Sequence, residues 1–437
     1  MSEKTTKNKI NTESYKGVRD FYPADMAVQN YIFSVMRKTA ESFGYSEYGA
    51  SVLEYADLYK AKSGDEIVNN QTYSFKDRGD REVSLRPEMT PTIARMIAAK
   101  LKEFSFPLRW YSIPNLFRYE NPQKGRTREH WQLNVDIFGV KNINAEVEVI
   151  SMASLIMRNF GLNDSDFEIR INSKKIVNYI LNDLFALSKE DAYKMAKIID
   201  KKAKVDAKVF RDMIQEIIPE RITEFVELLN SKNFEEFVSK LPKNAELMEG
   251  IIEIKEVIEK LEKLGITNAI FAQDVMRGFD YYTGIVFEVY DKNPENIRAV
   301  FGGGRYDELL AIFDKETIPA VGFGMGDVVI KDILETYKIL PEIKSTSKLY
   351  ICVMNEESIG YAQDLAQKVR ENGVNTTVDY SGKKIGDQIK YADKNKIPYV
   401  VVIGEEEVKN GKLKIKKLSS GKEVETTEDK ISEIINK

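Results

Sequence analysis

The chain has one histidine and one cysteine in 437 residues. The lone thiol, Cys352, has no partner for an internal disulfide, and no Cys-x-x-Cys pair exists. A zinc or di-metal centre built on several histidines is excluded. So is a Ser or Cys nucleophile paired with histidine, unless His130 itself is the base. No apolar run approaches the ~20 residues that a membrane span requires. The N-terminal "MSEKTTKNKINTESYKG" is polar and lacks the apolar centre of a secretory signal, so the expected location is cytoplasmic. The net charge of −4 argues against non-specific nucleic-acid binding over the whole surface, while leaving room for a local basic face. Chemistry on this chain must run on Arg, Lys, carboxylates and Tyr.

What is present is core material. Hydrophobic residues make up 43% and charged residues 31%, the composition of a soluble globular chain. The length suggests about three domains at ~150 residues each. Residues 1–15 are polar and expected to be disordered. "KGVRDFYPADM" leads through Pro23 and Asp25 into apolar positions at helical spacing over 26–43. The runs "SVLEY", "TYSFKDRGDREVSLRP", "RWYSIPNLFRYE" and "HWQLNVDIFG" follow. "DRGD" and "NPQKGRTR" are the hairpin turns between β-prone stretches, so this part is mainly antiparallel sheet.

From about 143 the pattern becomes helical, "DFEIRINS" is a strand, and 174–262 is almost all helical in composition. After Gly265 the strands return in "AIFAQDV", "GIVFEVYD" and "AVFGGGRYD". A helical block between two β-rich stretches reads as an insertion (174–262) into one sheet domain formed by 16–173 and 263–335, because each β-rich half is too short to close a core alone. Three domains in series is the alternative. Residues 336–347, with Pro341, form a candidate linker. Residues 348–437 alternate strand and helix, a small α/β domain. Near its end "VKNGKLKIKKL" carries the Asn-Gly of a type I′ hairpin, and Lys412, Lys414, Lys416 and Lys417 mark a basic or merely solvated edge strand.

The most pointed segment is "LFRYENPQKGRTREHWQLNVD". Period-two alternation puts Arg118 and Glu120 on one strand face, and Gln132, Asn134 and Asp136 on one face of the return strand. Lys124, Arg126 and Arg128 occupy the loop between them. A strand arginine beside a basic loop suits a polyphosphate, which a guanidinium grips as a fork. A solvated hairpin with cross-strand ion pairs explains the same residues. In "LRPEMTP", Thr90 reads singly as a helix N-cap and Glu88 as a first-turn acid. "FGGGRYDEL" lacks the features of a phosphate loop and reads as a tight turn, while "GFGMGD" reads as close helix–sheet packing. "VMRGFDYYTGIVFEVY" crowds Arg277, Gly278, Asp280, Tyr281, Tyr282 and Gly284 in front of an apolar strand that has no structural use for them.

Together these segments resemble the class II aminoacyl-tRNA synthetases, and among them the histidyl-tRNA synthetase family, over nearly the whole chain. "FRYENPQKGRTREHWQ" resembles motif 2, "LRPEMT" the segment that takes the amino-acid ammonium, and "RGFDYYTGIVFE" the block peculiar to the histidine enzymes. "GGGRYD" and "GFGMGD" are their usual companions. The resemblance implies an α+β fold: an antiparallel-sheet catalytic domain with a helical insertion, plus a C-terminal α/β anticodon-binding domain over 348–437.

The resemblance also implies an activity. L-Histidine reacts with ATP to give histidyl-adenylate and pyrophosphate, and the histidyl group then passes to the 3′ end of tRNA(His). The enzyme works as a homodimer with Mg²⁺ on the β,γ-phosphates, no protein side chain being assigned to the metal. Arg118 and Arg277 are the catalytic cations. Glu88, Met89, Thr90 and Gln132 lie around the ammonium, with Asp136, Tyr281 and Tyr282 around the imidazole. Glu120, Arg126, Arg128, His130 and Gly322 join Arg118 around ATP, His130 standing where an aromatic ring stacks on adenine. Gln123 and Lys124 face the tRNA acceptor end.

Three positions depart from the family pattern. Val329 stands where an arginine commonly grips the ATP γ-phosphate, leaving either Arg126 or Arg128 as substitute or a weaker nucleotide site. Ser51 replaces a motif 1 proline at the dimer interface, and Asn121 replaces an arginine associated with reading the tRNA 5′ end. A non-catalytic regulatory paralogue of histidine biosynthesis is the alternative reading.

Overall fold

A computed structural model describes residues 11–60, 71–202, 205–276, 281–296 and 298–436. It divides into two compact units, 1–340 and 341–437. The strands of the first unit are β1 (Ser46–Glu47), β2 (Leu53–Tyr55), β3 (Tyr73–Lys76), β4 (Glu82–Leu85), β5 (Leu108–Ser112) and β6 (Asn115–Phe117). They continue as β7 (Glu129–Phe138), β8 (Phe167–Ser173), β9 (Ala269–Phe271), β10 (Ile285–Asp291), β11 (Ala299–Arg305) and β12 (Ala320–Gly326). A nine-stranded sheet runs β1-β5-β7-β12-β11-β10-β8-β9, with β6 paired to β7. It is antiparallel except at β1–β5 and β8–β9. A separate three-stranded sheet, β2-β4-β3, carries the "DRGD" hairpin.

Alternation along the central strands sorts their side chains between two faces. Leu133, Val135 and Ile137 of β7 and Val321, Phe323 and Met325 of β12 enter one core with the helices Pro23–Ser42, Asn144–Asn159 and Asp327–Thr336. The intervening Gln132, Asn134 and Asp136, with Gly322 and Gly324 opposite them, are left to the other face. The helix Thr90–Ala99 covers part of that face through Ile93, Ala94 and Ile97, which pack with Phe138, Tyr281 and Tyr306.

Several expectations are corrected. "FGGGRYDEL" is no tight turn: its glycines are interior to β11, between β10 and β12. A Cβ on Gly303 would lie 2.0 Å from the Gly322 carbonyl oxygen, so closeness of backbone, not a turn, demands glycine there. "RWYSIPNLFRYE" is two strands, broken at Ile113-Pro114, and β6 stops at Phe117. Arg118 and Glu120 therefore lie beyond the strand, although Arg118 N still donates to Arg128 O at 2.9 Å. Thr90 is the first helical residue, with Met89 as N-cap and no side-chain cap.

Between β8 and β9, the chain from Lys174 to Lys263 forms helices that close around their own apolar cluster, which includes Phe210, Phe225, Phe237 and Ile254. The second unit has β13 (Leu349–Val353), β14 (Thr376–Val378), β15 (Tyr399–Ile403), β16 (Leu413–Lys417) and β17 (Glu423–Thr426), in the order β14-β13-β15-β16-β17. Asn410-Gly411 does not turn a hairpin; Gly411 ends the helix Glu405–Asn410 in the left-handed region, and the hairpin turns after Lys417. β16 is also not an edge, since β17 pairs beyond it, setting Lys416 and Lys412 against Glu423 and Glu425.

Candidate active site

The face left open by β7 and β12 forms a cavity that, with the solvent space at its mouth, spans about 410 Å³. Glu88 and Thr90 wall it at the start of the helix Thr90–Ala99, and Gln132, Asn134 and Asp136 rise from β7. Tyr281, Tyr282 and Tyr306 close the far side, with ring centroids 4.9 Å apart for Tyr281–Tyr282 and 5.7 Å for Tyr281–Tyr306. The two carboxylates are deeply buried, Glu88 at 2% and Asp136 at 4% exposure. The Tyr281 hydroxyl donates to Glu88 Oε2 at 3.4 Å, and the Tyr306 hydroxyl donates to Asp136 Oδ1. Burial pushes the Asp136 carboxyl up to about 7, a rise that the Tyr306 hydrogen bond tempers.

An open groove of about 660 Å³ continues from this cavity. Arg118, Gln132 and Gly324 line both spaces. Arg118 is aimed by its Nε, which donates to the Pro87 carbonyl at 2.8 Å. Beyond it the groove is lined by Glu120, Arg126 and His130 and by Val300, Val328 and Val329. His130 has its pKa lowered to about 3 by burial and by the charges of Arg118 and Arg19. It stays neutral at physiological pH and is too weak a base for proton abstraction, which leaves a flat ring in the groove wall. Glu120 Oε2 is buried without a hydrogen-bond partner, 3.5 Å from Arg126 Nε. A buried carboxylate oxygen with no hydrogen bond and only a loose ion pair, in a groove of this kind, fits a hard cation such as Mg²⁺. Among the described residues no group of three or more His, Cys, Asp or Glu converges as a metal site, so such an ion would take its other ligands from phosphate and water.

A sequence profile described as "Histidyl-tRNA synthetase" matches residues 17–327, and one described as "Anticodon binding domain" matches residues 348–437. The histidine–tRNA ligase of Leptospira biflexa serovar Patoc is 40% identical over 420 residues, 94% of each chain. That of Thermoplasma volcanium is 37% identical over 94% of this chain and 95% of its own. The chain belongs to the histidyl-tRNA synthetase family.

Solved structures agree on the fold of this family. The histidyl-tRNA synthetase from Nostoc sp. PCC 7120 aligns with a TM-score of 0.82 at 24% identity, covering 98% of this chain and 99% of that one. A Bacillus halodurans C protein described as an ATP phosphoribosyltransferase regulatory subunit/histidyl-tRNA synthetase aligns with a TM-score of 0.72 at 25% identity, covering 88% and 97%.

The structure sorts the residues carried over from the histidyl-tRNA synthetase resemblance. It brings Glu88, Thr90, Arg118, Gln132, Asp136, Tyr281, Tyr282 and Gly322 into the cavity, and Arg118, Glu120, Arg126 and His130 into the groove. Gly322, expected beside ATP, lines the cavity and faces Asp136 across the β7–β12 pairing. Met89 is 1% exposed and forms no part of the cavity wall. Arg128 lines neither space. Its Nε donates to Glu120 O at 3.1 Å, its Nη1 to the Tyr15 hydroxyl at 3.0 Å, and its guanidinium lies 4.0 Å from the centre of the Tyr119 ring. These contacts hold the loop. Gln123 and Lys124 are exposed on the loop, Gln123 bridging to Arg126. Arg277, Gly278 and Asp280 lie outside the described residues.

Four cavity residues escaped the sequence reading as site residues: Tyr306, Asn134, Phe323 and Gly324. Tyr306 sits in "GGGRYD", where the glycines drew all the notice, and Asn134 lies on the strand face already picked out for Gln132 and Asp136. Asp327, in the quoted "GFGMGD", is structural. Fully buried, it accepts from Arg19, Gln29 and the Trp131 amide at 2.8–2.9 Å.

Proposed function

We propose that this chain activates L-histidine with ATP and transfers the histidyl group to the 3′ end of tRNA(His). The observation that carries the reading is the junction at Arg118, Gln132 and Gly324. There a polar pocket walled by buried carboxylates opens into a groove lined by Arg118, Arg126 and the flat neutral ring of His130. The histidine carboxylate is already ionised and needs no general base. Its attack on the α-phosphorus depends on positioning and on cations around the charge that develops. Arg118, at the junction, is the residue for that charge, and Arg277 is its expected partner.

Glu88, with Thr90 and Gln132, takes the ammonium. Asp136 and Tyr282 take the ring nitrogens, and Tyr306 holds the Asp136 carboxyl in place. A cavity with these buried polar groups rejects isosteres lacking either nitrogen, because a buried acceptor would be left unpaired. Glu120 would hold Mg²⁺, which, when bound, neutralises charge on the β,γ-phosphates. His130 supplies a stacking face for adenine.

Residues 16–173 and 263–335 are read as the catalytic domain, 174–262 as the insertion, 336–347 as a linker and 348–437 as the anticodon-binding domain. The exposed apolar face of the small sheet, with Leu53 at 45%, Tyr55 at 59% and Phe75 at 49% exposure, supports a homodimer. A cytoplasmic location belongs to the same reading. Among the described residues no helix is long and apolar enough to cross a membrane. The regulatory-subunit alternative is not favoured, because the relatives at 37–40% identity are named as ligases. Histidine-dependent ATP–pyrophosphate exchange by the full chain tests the reading. Exchange with histidine and not with other amino acids is expected, and none from folded protein would overturn it.

A further inference from the structure

The groove is unevenly charged. Its inner end has Arg118, but the wall formed by β11 and the helix Asp327–Thr336 is apolar at Val300, Val328 and Val329. A triphosphate carries close to four negative charges, and its outer phosphates need cations that this wall does not supply.

Arg298 is the cation nearest in sequence to that wall's Val300. It precedes β11 and lies two residues before Val300. Pairing with β10 jumps from Phe301↔Val289 to Ala299↔Tyr290, so Val300 is the extra residue of a β-bulge. Bulges re-aim the side chains beside them. The Arg298 guanidinium donates from Nη2 to Gln123 Oε1 at 3.0 Å. Gln123 in turn is paired through its backbone with Arg126, at 3.1 and 2.9 Å, across the same tight loop whose Gly125 and Arg126 line the groove. Two independent anchors, the strand leading to Val300 and the loop ending in Arg126, thus hold this exposed guanidinium beside segments that line the groove. Among the described residues no carboxylate forms an ion pair with it, and its neutral bond to Gln123 is readily exchanged for a charged one.

We propose that Arg298 is a nucleotide-binding residue that grips the outer phosphates of ATP from the β11 side. It thereby does from the sheet what no side chain at Val329 does from the helix. The inference rests on the reading of the groove as the ATP site. The rival role, a phosphate contact on tRNA through the Gln123–Lys124 loop, is an outcome of the test.

The test is ATP–pyrophosphate exchange by the full chain without tRNA. Arg298→Ala is expected to raise the KM for ATP about ten- to hundredfold, the range for one charged hydrogen-bonding group. The KM for histidine should stay within about twofold, and Arg298→Lys should keep part of the affinity. Adding Val329→Arg to Arg298→Ala is expected to restore most of the ATP affinity, because it returns a cation to the same wall of the groove. A KM for ATP within about twofold of wild type in Arg298→Ala overturns the proposal. It is equally overturned if only the KM for tRNA rises in aminoacylation. Either result, with wild-type exchange intact, leaves the synthetase reading standing; absence of exchange in the wild type removes both.

Discussion

The cavity around Asp136 and the groove around Arg126 share Arg118, Gln132 and Gly324 and differ in almost everything else. The cavity is walled by buried strand and helix residues whose polar groups are tied to one another, as Tyr306 is to Asp136 and Tyr281 to Glu88. The groove is edged by an exposed loop whose Arg126 is in loose contact, 3.5 Å from Glu120. Selectivity for one side chain requires buried groups that suffer if left unpaired. A triphosphate, common to all such reactions, is held by charge from residues that remain in contact with water. The contrast teaches where substitutions should be costly and where they should be tuned by neighbouring cations.

The largest effect expected from this contrast is on stability against pH. Asp136, raised from an ordinary carboxyl value to about 7 in the folded state, binds its proton more tightly there than in the unfolded chain. Its contribution is fully present below about pH 4 and is lost as pH rises through about 7, on the order of 4 kcal/mol in all. Asp136→Asn should flatten that part of the profile in denaturant titrations, while Arg126→Ala, in the groove, should not. Equal profiles for wild type and Asp136→Asn would remove the buried-cavity half of the comparison.

Arg118→Ala should slow histidine-dependent pyrophosphate exchange about 10²–10³-fold, the range for removal of one preorganised charge-stabilising group. It should disturb both substrates, because Arg118 lines both spaces. An effect confined to one KM would separate cavity and groove more sharply than the structure does. Gly322→Ala should act on the cavity alone. Its Cβ would lie 2.3 Å from Asp136 Oδ1 and 2.4 Å from the Val135 carbonyl, so backbone must move. A cost of about 1–3 kcal/mol in unfolding free energy is expected, with a raised KM for histidine. An unchanged melting temperature and histidine KM would mean that the sheet yields more than a packed interior should.

Tyr306→Phe is the mildest of the series. Losing one hydroxyl that donates to a carboxylate should raise the KM for histidine about tenfold and leave the KM for ATP unchanged. A matching rise for ATP would show that the two spaces respond together.

The strands and hairpins of this protein were legible where apolar alternation and turn residues agree, as in "TYSFKDRGDREVSL" and "HWQLNVDIF". Legibility failed where one residue type serves opposite ends. Glycines read as a turn in "FGGGRYD" are a crowded central strand, and the Asn-Gly read as a hairpin closes a helix. Of the site, Gln132, Asn134 and Asp136 were legible as one face of one strand, because period two is a local property of an extended chain.

The sequence by itself determined the fold class, the order of strands and helices, and the short segments from which the site is drawn, since these follow from local periodicity and motif residues. Only the tertiary structure decided which of those residues meet. It set Tyr306, 170 positions away, against Asp136; it withdrew Arg128 into a clasp between Tyr15 and Tyr119; it tied Arg298 to the loop at Gln123, 175 positions away. Such meetings depend on sheet order and register, and these are fixed by long-range packing of the whole core, which no window of neighbouring residues contains.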